Sequence, residues 1–254
     1  MQLTILGAGS SAGTPALGCN CSTCISDNPR NKRTRCSSYI TLDSGENILI
    51  DTGPDLRMQS LREGLRRVDA VLYTHTHADH LHGIDDLRAF CQIQRKQIPL
   101  YTYQEAVEHI KLKFGYTLRE PSNFWELPVL AIHSVSNPFM LFGNEVIPIP
   151  VFHGNSLIFG YRISNCAYLT DISSIPKSSL ALLQDLDLLL IDCLRADKHP
   201  THINIEQSLE YVSQINAKQS VLIHMTHDLE YSTLSESLPK NVMVGYDGLK
   251  LEFN

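Results

Sequence analysis

The densest chemistry in this chain lies in the stretch Thr74-His75-Thr76-His77-Ala78-Asp79-His80. It follows the apolar run Ala70-Val71-Leu72-Tyr73. His75 and His77, two residues apart, therefore leave the end of a buried strand on one face, while Asp79 and His80 follow where the chain turns. Imidazoles and a carboxylate held this closely form a metal-binding arrangement. The adjacent Asp79 and His80 cannot easily reach an ion already held by His75 and His77, so the spacing points to two ions a few ångströms apart. The bland alternative is a His-rich surface loop. A second concentration is Cys19-Asn20-Cys21-Ser22-Thr23-Cys24. Cys21 and Cys24 have the CxxC spacing that lets two sulfurs meet on one tetrahedral ion, and Cys19 can reach the same ion across the turn. Three thiolates ask for a fourth ligand from elsewhere, whereas three free thiols in an open loop would be exposed to oxidation.

The elements that must position these groups are legible from pattern. Leu3 to Leu6 reads as a strand ending in a Gly-rich loop, Gly7 to Gly13, either a plain turn or a border of the active site. Cys36 to Leu42 and Asn47 to Asp51 read as a hairpin, with Asp51 closing an apolar strand. A charge there is too costly to leave unpaired, so Asp51 is expected to be hydrogen-bonded. Leu56 to Gly64 and Gln104 to Phe114 read as helices. Apolar residues at 81, 84, 87 and 90 predict a helix after His80, its N-terminus beside the metal loop; His82 is placed outside the ligand set. Tyr116 to Asn144, with Phe124, Trp125, Phe139 and Phe142, follows no period and either walls a pocket or covers the core. Further on, His153 ends the strand Glu145 to Phe152, Asp171 follows Cys166 to Leu169, and His224 follows Ser220 to Ile223. A His and an Asp just past buried strands are where ligands belong if metals lie along a sheet edge. The loop from Arg195 to His202 precedes a helix expected over Ile203 to Ile215. Strands with helices between them, and no Gly/Ser/Pro linker, argue for a single layered domain over 1–254 with two sheets inside and helices outside.

The motif His75-Thr76-His77-Ala78-Asp79-His80 resembles the HxHxDH motif of the metallo-β-lactamase superfamily. With the Cys knuckle, the chain resembles the superfamily's phosphoribosyl 1,2-cyclic phosphate phosphodiesterase branch. The resemblance implies an α/β fold, the four-layer α-β-β-α sandwich. It also implies a ligand set: His75, His77 and His153 for one ion, Asp79, His80 and His224 for the other, and Asp171 between them. By the same resemblance Cys19, Cys21, Cys24 and His227 hold a structural Zn²⁺, and Asp51 supports the metal loop without ligating. The oxygen-reducing diiron relatives carry Glu where this chain has His77, so hydrolysis is favoured. The catalytic residues assigned are His202, matching the branch's general acid, and Asp79, which is also a ligand; His199 is the rival to His202. The implied cofactors are two divalent cations, Mn²⁺ or Zn²⁺, besides the structural Zn²⁺.

Composition limits the alternatives. In 254 residues, 27 acidic against 21 basic side chains give a formal charge of -6, with no long basic run. Broad electrostatic binding of nucleic acid or an anionic membrane is disfavoured. No stretch reaches the length of a membrane span, and the start enters a strand without a basic leader. Seven cysteines, three of them clustered, suit metal ligation in a reducing compartment. The expectation is a cytoplasmic hydrolase, a phosphodiesterase on a small phosphate ester, cyclic or open, with no nucleic-acid or membrane partner and a homodimer left open. The alternatives are an RNA-processing endonuclease, a lactonase or thioesterase, and a non-catalytic protein of the pyrroloquinoline quinone biosynthesis type. No basic or Gly-rich insertion is present to build an RNA-binding arm.

Overall fold

A computed structural model describes residues 1–118 and 129–254. In chain order the strands are β1 (Gln2–Gly7), β2 (Ser37–Thr41), β3 (Asn47–Ile50), β4 (Ala70–Leu72), β5 (Ile98–Thr102) and β6 (Leu130–Ser134). They continue as β7 (Phe139–Leu141), β8 (Asn144–His153), β9 (Ser156–Ile163), β10 (Cys166–Leu169), β11 (Leu188–Asp192), β12 (Gln219–Ile223), β13 (Val242–Val244) and β14 (Lys250–Glu252). Two seven-stranded sheets result, ordered β14-β1-β2-β3-β4-β5-β6 and β13-β12-β11-β10-β9-β8-β7. Each is mixed. β3 to β6 run parallel in the first sheet and β10 to β13 in the second, the remaining pairs being antiparallel. The last strand returns to the first sheet, with Leu251 opposite Leu3.

Alternation along the strands explains the layering. Ile5, Ile40, Ile48, Ile50 and Leu72 pack with Ile149, Val151, Tyr161 and Leu169 in one core between the sheets. The intervening Leu6, Tyr39, Leu49 and Val71 pack outward on Leu56, Leu81, Leu87, Phe90 and Ile110, from the helices covering the first sheet. In the second sheet, Leu188, Leu189, Leu190 and Ile191 are all buried. Such an unbroken apolar run marks a parallel strand covered on both faces. This is the expected two-sheet sandwich flanked by helices.

Three local expectations need correction. The helix predicted from Leu81 to Phe90 is broken into Ala78–Leu81, a 3-10 turn Ile84–Asp86 and the helix Leu87–Gln94. Gly83 is the break: its N–H donates to Thr52 O at 2.8 Å, and a Cβ there would overlap Gly53 O. The helix expected from Ile203 begins at Ile205, because Asn204 and Gln207 form a reciprocal capping box; His202 therefore sits on the approach to the helix. The stretch read as aperiodic after Tyr116 holds β6 and β7, each at a sheet edge. Within it Phe139 stacks on Tyr101, centroids 4.9 Å apart, and so covers the core; Phe124 and Trp125 lie outside the described residues.

Candidate metal centre

His75 and His77 follow β4, His153 ends β8, Asp171 lies two residues past β10, and His224 follows β12. The sheets thus deliver the predicted residues to one edge. Asp51, Asp171 and His224 all adopt left-handed backbone, with φ of 61°, 56° and 59°. Non-glycine residues rarely do so, and such positions gather at functional sites. Here the conformation ends each strand abruptly and turns the side chain into the cluster. Asp79 and His80 are set by a separate device. Thr52 N donates to His80 O at 2.7 Å, and a Cβ on Gly53 would overlap Asp79 O, so a glycine is required for this close approach.

Two four-residue donor sets form, His75–His77–His153–Asp171 and Asp79–His80–Asp171–His224, the donor atoms of each within 4.8 Å of one another. Asp171 belongs to both. Its Oδ2 lies 3.0 Å from His80 Nε2, and its Oδ1 lies 3.4 Å from His224 Nε2 and 3.9 Å from His75 Nε2. The Nε2 atoms of His75, His80 and His224 are buried and make no hydrogen bond. Orphaned imidazole nitrogens facing a shared carboxylate are what a pair of divalent ions requires, so the residues present fit the group.

The opposite ring nitrogens of His75, His80 and His153 are already occupied. His80 Nδ1 lies 2.7 Å from Asp51 Oδ2, and His153 Nδ1 donates to Thr201 O at 2.8 Å. Thr74 Oγ1 donates to Asp51 Oδ2 at 2.7 Å, which leaves it to accept from His75 Nδ1 at 3.1 Å. Each bond fixes the proton on Nδ1 and leaves the Nε2 lone pair for a metal. Burial would raise the carboxyl groups of Asp79 and Asp171, but the surrounding imidazoles, His224 and His80 foremost, overcome it and hold both well below the usual carboxylate range. Burial, with His80 beside it, pushes the His75 imidazole well down, toward the neutral form a ligand needs.

His202 joins this cluster and His199 does not. His202 stacks on His224, centroids 5.0 Å apart, with Nε2 3.9 Å from Asp171 Oδ1. His199 has its Nδ1 turned to the Thr201 N–H at 3.3 Å. What orients His202 is Asp192, whose Oδ2 lies 3.0 Å from His202 Nδ1 and whose Oδ1 is 3.5 Å from His224 Nδ1. The sequence reading passed over Asp192, although the signal was present: like Asp51, it closes a wholly apolar strand.

The second cluster also closes. Cys19, Cys21, Cys24 and His227 bring their donor atoms within 4.8 Å of one another. His227 Nδ1 lies 3.5 Å from Cys19 Sγ and 3.3 Å from Cys21 Sγ, against the ~3.5–3.8 Å edge of a tetrahedron built on zinc bond lengths. The hydrogen bond from His227, then that from the Cys24 backbone, brings the Cys21 thiol down to about 6. The Gly-rich loop after β1 supports the same region, Met225 N donating to Ala8 O and Ser10 N to Met225 O, both at 3.0 Å.

This fold and this cluster place the chain in the metallo-β-lactamase superfamily, to which it belongs: the family model described as "Beta-lactamase superfamily domain" matches residues 46–225. A solved structure described as a new diphosphatase from the PhnP family is 40% identical, with a TM-score of 0.92 over 98% of this chain and 96% of that one. An octanoyltransferase of Porphyromonas gingivalis (strain ATCC BAA-308 / W83) is 38% identical over 98% of this chain; the chain spans about half, 51%, of that curated relative's length. The Zn(2+)-bound PqqB structure from Methylobacterium extorquens shares the fold at 20% identity, with a TM-score of 0.79 over 99% of this chain and 100% of that one.

Proposed function

We propose that the chain is a dinuclear metal-dependent hydrolase acting on a small phosphodiester, with Mn²⁺ or Zn²⁺ in the catalytic pair and Zn²⁺ in the Cys knuckle. The observation that carries this reading is the sharing of Asp171 between two donor sets whose buried imidazole nitrogens are otherwise unbonded. His75, His77 and His153 would hold one ion and Asp79, His80 and His224 the other, with Asp171 reaching both. Two such ions neutralise an ester phosphate and make water a competent nucleophile near neutral pH. The rest is the work of the protein's own side chains. Asp51, through His80 and Thr74, fixes the metal loop. Asp192 holds the His202 proton on Nδ1, so Nε2 faces the cluster and, when protonated, can hand a proton to the leaving oxygen. Asp192 is a positioning residue and His202 the general acid. A 40%-identical relative described as a diphosphatase supports phosphorus chemistry over lactone or thioester hydrolysis.

No helix among the described residues is long and apolar enough to cross a membrane. A reducing compartment suits the thiolates of the knuckle. Elemental analysis should return three ions per chain, and metal-loaded protein should turn over bis(p-nitrophenyl) phosphate but neither lactones nor thioesters. Fewer than two ions outside the knuckle, or faster turnover of a thioester, would overturn this assignment.

A further inference from the structure

A cavity of about 580 Å³ opens beside the metal centre, lined among the described residues by Tyr103, Glu105, Val135, Ser156, Leu157 and Phe159 with their neighbours. None of these has a part in the reaction above. Topology puts the cavity at the reacting edge. Tyr103 and Val135 follow β5 and β6, which run parallel to β4 and so end on the side where β4 delivers His75 and His77. Ser156 is the register partner of His153 across the β8–β9 hairpin. A backbone bond joins this wall to the metal loop, Phe159 N donating to Thr74 O at 3.0 Å, and the Tyr103 hydroxyl lies toward the side chain of Thr76, between the two histidines.

The lining chemistry is specific. The Tyr103 and Phe159 rings meet edge to face, centroids 5.4 Å apart. Leu157 stays 51% exposed, an apolar side chain that folding leaves in water. Around them lie serine hydroxyls, the Gln104 amide and the Glu105 carboxylate, with no Lys, Arg or His among the described residues of the lining. A second phosphate or a carboxylate arm would meet Glu105 with no cationic side chain among the described lining residues to offset it. A planar ring would instead stack on the aromatics and place its N–H groups against Glu105 and the serines. The volume falls in the ~300–1,000 Å³ range of small-molecule sites.

We propose that this cavity is a subsite for an uncharged, planar, donor-bearing ring on the organic arm of the phosphodiester, as an amino-bearing nucleobase presents. The proposal rests on the phosphodiesterase reading of the metal centre, and two measurements separate them. In ligand-observed NMR titrations of Mn²⁺-free, zinc-loaded protein, adenosine should bind and ribose should not. Glu105→Lys and Leu157→Asp, both at exposed positions, should each weaken adenosine about 10-fold or more, the scale of a lost base-stacking contact. In kinetics on two esters with one leaving group, the p-nitrophenyl ester of adenosine 5'-phosphate should exceed methyl p-nitrophenyl phosphate about 10-fold or more in kcat/KM. Either substitution should bring that ratio toward one. Adenosine binding that is sensitive to the substitutions, without hydrolysis of either ester, keeps the subsite and rejects the phosphodiesterase. Equal hydrolysis of both esters without adenosine binding, or binding indifferent to both substitutions, overturns the subsite and leaves the phosphodiesterase standing.

Discussion

The two donor clusters of this protein are built by opposite means. In the central cluster His75, His80, Asp171 and His224 are buried, and the outer ring nitrogens of His75, His80 and His153 are held by Thr74, Asp51 and Thr201. In the knuckle Cys19, Cys21 and His227 are only partly buried, and beyond their mutual contacts Cys24 Sγ accepts a single backbone bond, from Ala16 N at 3.4 Å. The sheets impose the geometry of the first site; the second closes through contacts among its own donor atoms. One segment serves both. Arg33, itself buried, donates to Thr226 O at 3.1 Å and to Leu229 O at 2.7 Å, and so steadies the stretch that carries both His224 and His227.

That contrast is broken most directly at those two histidines. His224→Ala should empty a catalytic position and cut phosphodiester hydrolysis by about 10³-fold or more, the several kcal/mol a catalytic metal supplies. His227→Ala should release only the knuckle ion. Metal content measured with kcat for both variants decides it, and a reversed pattern exchanges the two assignments. Next in size is His202→Ala, expected to lose roughly 10²–10⁴ in kcat on an alkyl phosphodiester while retaining its ions. On p-nitrophenyl esters the loss should be much smaller, since that group leaves without a proton; equal losses would remove His202 as the acid.

The two strand-end carboxylates sharpen the comparison within the central site. Asp51→Asn should weaken metal binding about 10–100-fold, because it no longer fixes His80. Asp192→Asn should keep the metals and instead reproduce the leaving-group contrast of His202→Ala in weaker form, a signature a merely structural residue would not give. The smallest effect on chemistry belongs to Cys21→Ala, which should lower Tm by several degrees, at about 2–4 °C per kcal/mol for a chain of this size, with kcat per folded molecule nearly unchanged.

A pH titration follows from the Cys21 thiol at about 6. A thiol depressed in the folded state contributes stability above its unfolded value, and that contribution is lost as pH falls through the folded one. Zinc-stripped protein should therefore show a thiolate ultraviolet band lost near pH 6 and absent in Cys21→Ala; a midpoint near 9 would refute the coupling to His227.

Most of the central site was legible because its ligands obey local rules. His75, His77, Asp79 and His80 lie in one heptapeptide, and His153, Asp171 and His224 each sit just past an apolar run that reads as a strand. Their assignment to particular ions came from the superfamily resemblance, not from spacing. Asp192 was missed because its partner, His202, lies ten positions away across a loop whose path no periodicity describes. The edge strands β6 and β7 escaped for a related reason: Leu130–Ser134 and Phe139–Leu141 are short and partly exposed, so neither shows a clean alternation.

The sequence by itself determined the sandwich and the donor types, since burying alternate side chains of successive apolar strands leaves few ways to layer this chain and strand ends carry most of its candidate histidines and aspartates to an edge. Tertiary structure alone decided the rest. That Asp171 serves two donor sets and that a cavity opens beside the β8–β9 turn depend on how one sheet meets the other, whereas Asp51 and Asp192 each steady an imidazole from their own half of the chain. Contacts between residues far apart in the chain are set by that packing, and no local propensity encodes them.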